Sequence, residues 1–364
     1  MTLSLEVCAR DGAARATTIT TARGTIATPC FMPVGTRGAV KHLTSADLEA
    51  LGAEVVLCNT YHLMLRPGAD VVAALGGLHG FMDWSGHVLT DSGGYQVFSL
   101  TPKVDDDGVV FRSTYDGSSH RLTPEGAVAI QSALGADIQM VLDVCAPLPS
   151  PAEVLRVAVD RTAQWAARAK AAHRHATQSL FGIVQGGTDV ALRVESAQRT
   201  REIGFDGYGI GGLSVGESRA SMLPALAAAL GELGDDVPRY LMGVGDPAGM
   251  VEAVALGIDL FDCVLPSRHA RHGTLLTAEG RLNLRNARFA TDPEPPDPGC
   301  ACSTCARWSR GYLRHLLLTG EPTAARLLTV HNMAWILDLA RRMRSAITAG
   351  TFDGLRREIL AVWA

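Results

Sequence analysis

Long apolar runs are missing from this chain of 364 residues. None approaches the roughly 20 residues that a helix needs to span a bilayer, so a membrane-spanning helix is excluded. Residues 1–15 hold no apolar stretch of the signal-peptide kind, and the expectation is a cytoplasmic protein with reduced thiols. Positive charge is also short. Lysine and arginine number 33 against 37 acidic residues, a formal net charge of −4. Proteins that coat duplex nucleic acid are usually basic, so any nucleic-acid surface here has to be a local patch. No repeat of about 20–50 residues is evident, which argues against a solenoid. Aromatics make up 5%, charged residues 19% and hydrophobic residues 47%, which excludes a disordered chain. That length buries one large core or two ordinary ones.

Cysteine is sparse and unevenly spread. Cys8, Cys30, Cys58, Cys145 and Cys263 are scattered, whereas Cys300, Cys302 and Cys305 share one short loop. A chain this long needs no disulfide framework, so the trio suggests a metal. A fourth ligand is required to close a tetrahedral zinc site. His331, within the helical segment Leu328-Thr-Val-His-Asn-Met333, is the leading candidate and His315 the rival. Full occupancy by protein ligands makes the expected zinc structural rather than catalytic. The competing account is a chance trio, but free cysteine prefers burial and this loop is polar and proline-led.

Short apolar runs recur, many ending in a polar or glycine-rich step. They cover residues 87–91, 138–143, 181–185, 208–213, 240–244 and 260–263. Each predicts a buried parallel strand with chemistry at its C-terminal end. Helical patterns lie between, at residues 124–134 behind the N-cap Thr123, then 151–175, 189–203, 219–230 and 247–255. Such alternation predicts an α/β fold. A doubly wound sheet would place its ligand at one switch point. A (β/α)8 barrel carries polar residues at the ends of many strands on one face. At least five strand ends carry such groups here, so the expected fold is a (β/α)8 TIM barrel. The four prolines of residues 291–299 interrupt the alternation. The expected division is a barrel of residues 1–290 plus 322–364 and a small zinc-binding subdomain of residues 291–335.

Three acids stand at three strand ends. Asp91 precedes Ser92-Gly93-Gly94-Tyr95-Gln96, Asp143 follows Gln139-Met-Val-Leu142, and Asp262 lies within Phe261-Asp-Cys-Val264. Asp91 taken alone reads equally well as a helix cap. A carboxylate inside an apolar run, like Asp262, is costly unless paired, though it can simply bind backbone amides. Together with Gln185, the three suggest one polar site.

The ordered set Asp91-Ser-Gly-Gly-Tyr-Gln96, Val184-Gln-Gly-Gly187, Gly211-Gly-Leu-Ser-Val-Gly-Glu217, Leu241-Met-Gly-Val-Gly245 and Phe261-Asp-Cys-Val-Leu-Pro266 resembles the tRNA-guanine transglycosylases of bacterial type. The resemblance runs from Thr25 to the C-terminal helices, and the cysteine loop with His331 has the family's zinc spacing. It implies that Asp262 is the nucleophile, forming a covalent bond to the anomeric carbon of a tRNA nucleotide and expelling guanine. A 7-deazaguanine then attacks the same carbon, and two displacements retain configuration. Asp91 would be the general acid/base. Asp143, Gln185 and the Gly212–Leu213 backbone would recognise the base edge, with Tyr95 and Met242 sandwiching the ring. Arg268 and Arg271, close after Asp262, would contact tRNA phosphates. The target base would have to leave its stack.

The pattern departs from the family at Val144, where an acid is usual, and at Ser214, where bacterial members carry alanine. His269 and His272 replace common asparagines. Cys145 and Val215 match the bacterial pattern and fill space that a queuine pocket leaves clear. The expected incoming base is therefore the aminomethyl precursor preQ1, with queuine the rival. The resemblance further implies tRNAs with a GUN anticodon and a homodimer with the zinc region near its interface. Competing accounts are another zinc-bearing barrel hydrolase and a non-catalytic tRNA-binding family member.

Overall fold

The computed structural model describes residues 3–364. An antiparallel sheet of β1 (Ser4–Asp11), β2 (Ala14–Thr21) and β3 (Gly24–Thr28) opens the chain. β1 alternates exposed and half-buried residues, as a one-sided strand does. The barrel then begins with β4 (Cys30–Gly35), β5 (Val55–Cys58) and β6 (His87–Thr90). A three-stranded excursion follows, β7 (Lys103–Val104), β8 (Val109–Arg112) and β9 (Ser119–Leu122). The barrel resumes with β10 (Ile138–Met140), β11 (Ser179–Val184), β12 (Gly207–Ile210), β13 (Arg239–Leu241) and β14 (Leu260–Cys263). A hairpin, β15 (Thr274–Thr277) and β16 (Gly280–Asn283), lies beyond.

Eight parallel strands close in the order β10-β11-β12-β13-β14-β4-β5-β6. The ring shuts where Leu260 pairs with Cys30, and Ile138 with Leu89. A closed ring excludes the doubly wound alternative. Six of the strands, β5, β6, β10, β11, β12 and β13, are buried at every position, as expected where both faces are covered. Their C-terminal ends therefore share one rim, the rim on which barrel chemistry is built.

The helices begin where the sequence signals them. Thr123 caps Pro124–Leu134 by accepting the Gly126 amide, and Gly135 ends it in the left-handed conformation. Asp189 caps Val190–Ile203 and Asp246 caps Pro247–Ala255. The C-terminal region is two helices, Pro322–Thr348 and Phe352–Trp363. Among the described residues no helix is long and apolar enough to cross a membrane.

At the opposite rim Arg15 and Asp259, both fully buried, form a two-pronged ion pair at 3.0 and 2.5 Å. Asp259 also accepts the amide of Arg239 at 2.8 Å, joining β2, β13 and the approach to β14. Outside the main core, Leu275, Leu284, Phe289, Leu313 and Leu328 form a smaller apolar cluster. This cluster joins the β15–β16 hairpin, helix Arg310–Thr319 and the start of helix Pro322–Thr348.

Candidate active site and metal centre

A cavity of about 420 Å³ opens at the C-terminal rim. Asp91, Tyr95, Asp143, Cys145, Gly212, Leu213, Met242 and Asp262 all line it. Residues far apart in the chain thus converge because parallel strands end on one side.

Asp91 follows β6 directly. Its Oδ2 accepts from Asn59 Nδ2 at 2.6 Å, and its Oδ1 from the amides of Thr60 at 2.9 Å and Gly93 at 3.0 Å. Asn59 has a second task that fixes its orientation: its Oδ1 caps helix Thr60–Leu65 by accepting the His62 amide at 3.0 Å. The amide nitrogen is thereby left to face the acid. Gly93 has φ +81°, and a Cβ there would lie 3.1 Å from the Tyr61 nitrogen, so a side chain at this turn would be both strained and crowded. Burial pushes the Asp91 carboxyl up to about 7, against the lowering pull of the Thr60 and Gly93 amides. Asp262 and Asp143 add to the rise through like charge.

Asp262 sits within β14, paired with Met32 of β4. Its Oδ1 accepts from the Tyr240 hydroxyl at 2.5 Å and the Gly243 amide at 2.7 Å. No bond of this kind falls on Oδ2 among the described residues, so that oxygen is left to the cavity. Burial raises the Asp262 carboxyl above its ordinary range, and the two donors oppose it.

β10 stops at Met140, so Asp143 lies beyond the strand on an irregular segment. It is buried, and burial lifts its carboxyl to about 6. Gln185 is buried behind it and does not itself line the cavity; its Nε2 donates to Asp143 Oδ2 at 2.5 Å. Val144 turns its side chain into apolar clusters with Leu142, Trp165 and Leu155, while its amide donates to Thr162 at 3.0 Å. The substitution noted in the sequence thus leaves hydrocarbon, not a polar network, beside Asp143.

Beyond β12, Gly212 has φ +62°, and a Cβ there would stand 2.2 Å from Gln185 Oε1. Ser214 is also left-handed, at φ +60°. Glu217 holds this loop by accepting the amides of Ser214 and of Val215, the latter at 3.0 Å. Met242 enters from the end of β13, its sulfur close over Gly209 and Gly211. Tyr95 is 62% exposed on the rim. Arg268 and Arg271 do not line the cavity; they ride helix Leu265–Arg271, which starts two residues after β14. Arg268 is exposed.

The metal candidates gather elsewhere. The ligand atoms of Cys300, Cys302, Cys305 and His331 all lie within 4.8 Å of one another. His331 Nδ1 is 3.2 Å from the Cys305 sulfur and 3.7 Å from that of Cys302. Such separations match the edges of a small tetrahedron of nitrogen and sulfur donors. His331 Nε2 lies 2.8 Å from the Leu276 carbonyl, which turns Nδ1 toward the cluster. The rival, His315, is exposed on helix Arg310–Thr319 and outside the group.

Sequence reasoning passed over Asn59, Thr60 and Tyr240. Each lies on a different strand end from the acid it serves, so no local pattern joins them.

Residues 9–364 match the family model described as Queuine tRNA-ribosyltransferase. A protein of that name from Desulforudis audaxviator is 51% identical, over 99% of this chain and 98% of its own. The namesake from Symbiobacterium thermophilum is 50% identical, over 100% of this chain and 92% of its own. That from Sphingopyxis alaskensis is also 50% identical, over 98% and 97%. Likeness at this level from end to end leaves no stretch of the barrel or its cysteine loop unmatched, and the chain belongs to the queuine tRNA-ribosyltransferase family.

Proposed function

We propose that this protein is a tRNA-guanine transglycosylase that replaces the wobble guanine of GUN-anticodon tRNAs with preQ1. The observation carrying this reading is the pairing of two acids in one cavity with unlike surroundings. Asp262 keeps Oδ2 unbonded on a carboxylate steadied by Tyr240 and Gly243, as a nucleophile requires. Asp91 titrates near 7, as a group that gives and takes a proton at neutral pH requires. Attack by Asp262 on the anomeric carbon breaks the bond to guanine, and Asp91 protonates the departing base. The incoming base then gives its proton to Asp91 and displaces Asp262.

Asp143 would accept from the N1–H and amino group of the purine, held in place by Gln185. Gln185, with its Nε2 engaged by Asp143, would have to rotate to meet the base itself. Tyr95 and Met242 would close over the two faces of the ring. Cys145 and Val215 line the cavity and favour a small 7-substituent, hence preQ1 over queuine. Arg268 and Arg271 would hold phosphates beside the flipped nucleotide. The Cys300, Cys302, Cys305 and His331 set suits a structural zinc, because four protein donors leave no open position. The reading includes the zinc-bearing segment at residues 291–335, a cytoplasmic location and a homodimer, the last open to sedimentation.

The test is to incubate the protein with unmodified GUN-anticodon tRNA and labelled guanine. Label should enter the RNA, and Asp262→Asn should abolish entry while tRNA still binds. No incorporation by metal-loaded protein would overturn the reading and favour a non-catalytic tRNA-binding role. Competition between preQ1 and queuine for the same site would then settle the incoming base.

A further inference from the structure

Helix Val190–Ile203 carries an arginine that none of these roles uses. Arg193 is fully buried. Its Nε donates to the Gly187 carbonyl at 2.7 Å, and its Nη1 to those of Val184 at 3.0 Å and Gly211 at 2.8 Å. Its Nη2 donates to the Gly212 carbonyl at 3.1 Å. All four partners are neutral backbone oxygens at the ends of β11 and β12. Burial draws the guanidinium down to about 10, with Cys145 and Glu217 opposing, so it stays charged at neutral pH.

A buried cation without a bonded carboxylate is costly, and it is held here by the four carbonyls that an apolar side chain would leave without a donor. What the guanidinium provides is direction. Across a trans peptide, the carbonyl of one residue and the N–H of the next point opposite ways. With the carbonyls of Gly211 and Gly212 turned onto Arg193, the amides of Gly212 and Leu213 point away from it. Gly211, Gly212 and Leu213 line the cavity. A cation on the carbonyl side also polarises each peptide and makes its N–H a stronger donor. Fixed donors aimed at developing negative charge are an effective form of catalytic stabilisation.

We infer that Arg193 is a positioning residue, whose guanidinium turns and polarises the Gly211–Leu213 peptides so that their amides meet the carbonyl oxygen of the purine as the base departs. This rests on the base-exchange reading above. Arg193 touches no reacting atom; it acts through two peptide groups.

The experiment compares the binding of guanine and 6-thioguanine to wild type, Arg193→Met and Arg193→Lys, each checked for its melting transition and metal content. 6-Thioguanine keeps the N1–H and amino group but offers a weaker acceptor in place of oxygen. Arg193→Met should weaken guanine binding by about tenfold or more, and 6-thioguanine binding by no more than about threefold. Arg193→Lys should fall between, since an ammonium restores the charge but not the fork that reaches several carbonyls. Equal losses for both bases, or none, would overturn the inference while leaving base exchange intact. A wild type that binds neither base would instead overturn the base-exchange reading and this inference with it. Should the variants not fold, the amide resonances of Gly212 and Leu213 in the wild type decide. They should shift more with guanine than with 6-thioguanine, and equal or absent shifts would refute the assignment.

Discussion

The hydroxyl of Tyr240 and Oδ1 of Asp262 stand 2.5 Å apart, on neighbouring strands of the barrel. The bond favours the ionised carboxylate, against the burial that raises it. Tyr240→Phe removes that support and should raise the Asp262 carboxyl further, since a hydrogen bond to the charged form is lost while the burial remains. The acidic limb of the pH–activity profile should therefore move to higher pH, with the larger loss below neutrality. A limb that stays in place would remove Tyr240 from the mechanism.

Asp91 and Asp143 are lifted to about 7 and about 6 chiefly by burial. An unfolded aspartate titrates near 3.9, roughly. A carboxyl raised on folding favours the native state below its unfolded value, and that contribution is lost as pH rises through the folded value. The window here runs from about pH 4 to about pH 7. The melting temperature of Asp91→Asn should therefore gain on that of the wild type across this window. A constant difference between the two melting curves from pH 4 to pH 8, roughly, would refute the assignment.

Removal of the metal should be felt at the cavity. His331 is followed by Asn332, whose Nδ2 donates to the carbonyls of Pro266 at 3.0 Å and Thr274 at 2.9 Å. Its Oδ1 accepts the Leu276 amide at 2.9 Å. Pro266 lies on the helix that begins just after β14. Chelation should lower the melting temperature and quicken hydrogen exchange at residues 264–276 as well as in the cysteine loop. Proven metal loss with unchanged exchange at both places would show that the cluster stabilises nothing.

Arg15→Ala should cost about 3–5 kcal/mol in urea unfolding, because it strands the buried carboxylate of Asp259. The exposed pair of Arg342 and Glu358 is the control, and its loss should cost less than about 1 kcal/mol. Similar costs for the two would contradict the burial argument.

Much of the barrel was legible because a parallel strand buried on both faces is a continuous apolar run. The runs at residues 87–91 and 260–263 correspond to β6 and β14 within a residue. Proline and capping residues located the helices Pro124–Leu134 and Pro247–Ala255. The sheet of β1–β3 and the excursion of β7–β9 escaped notice, since most of their strands are polar or alternate and the apolar run of β8 is only three residues long. The acids were visible as costly charges at strand ends. Their supports were not, because nothing in the local sequence around Asn59 or Tyr240 ties either residue to an acid on another strand. The barrel's closure brings them to Asp91 and Asp262 through tertiary contacts that carry no local signature.

Pairing between β4 and β14 has a consequence for how the molecule comes into being. Residue 30 meets residue 260 only when nearly three quarters of the chain has left the ribosome. Until then the growing sheet has two bare edges, and Asp91 and Asp143 are present without Asp262. The last strand to join therefore both seals the ring and delivers the third acid, so an unfinished or unsealed chain holds an incomplete site.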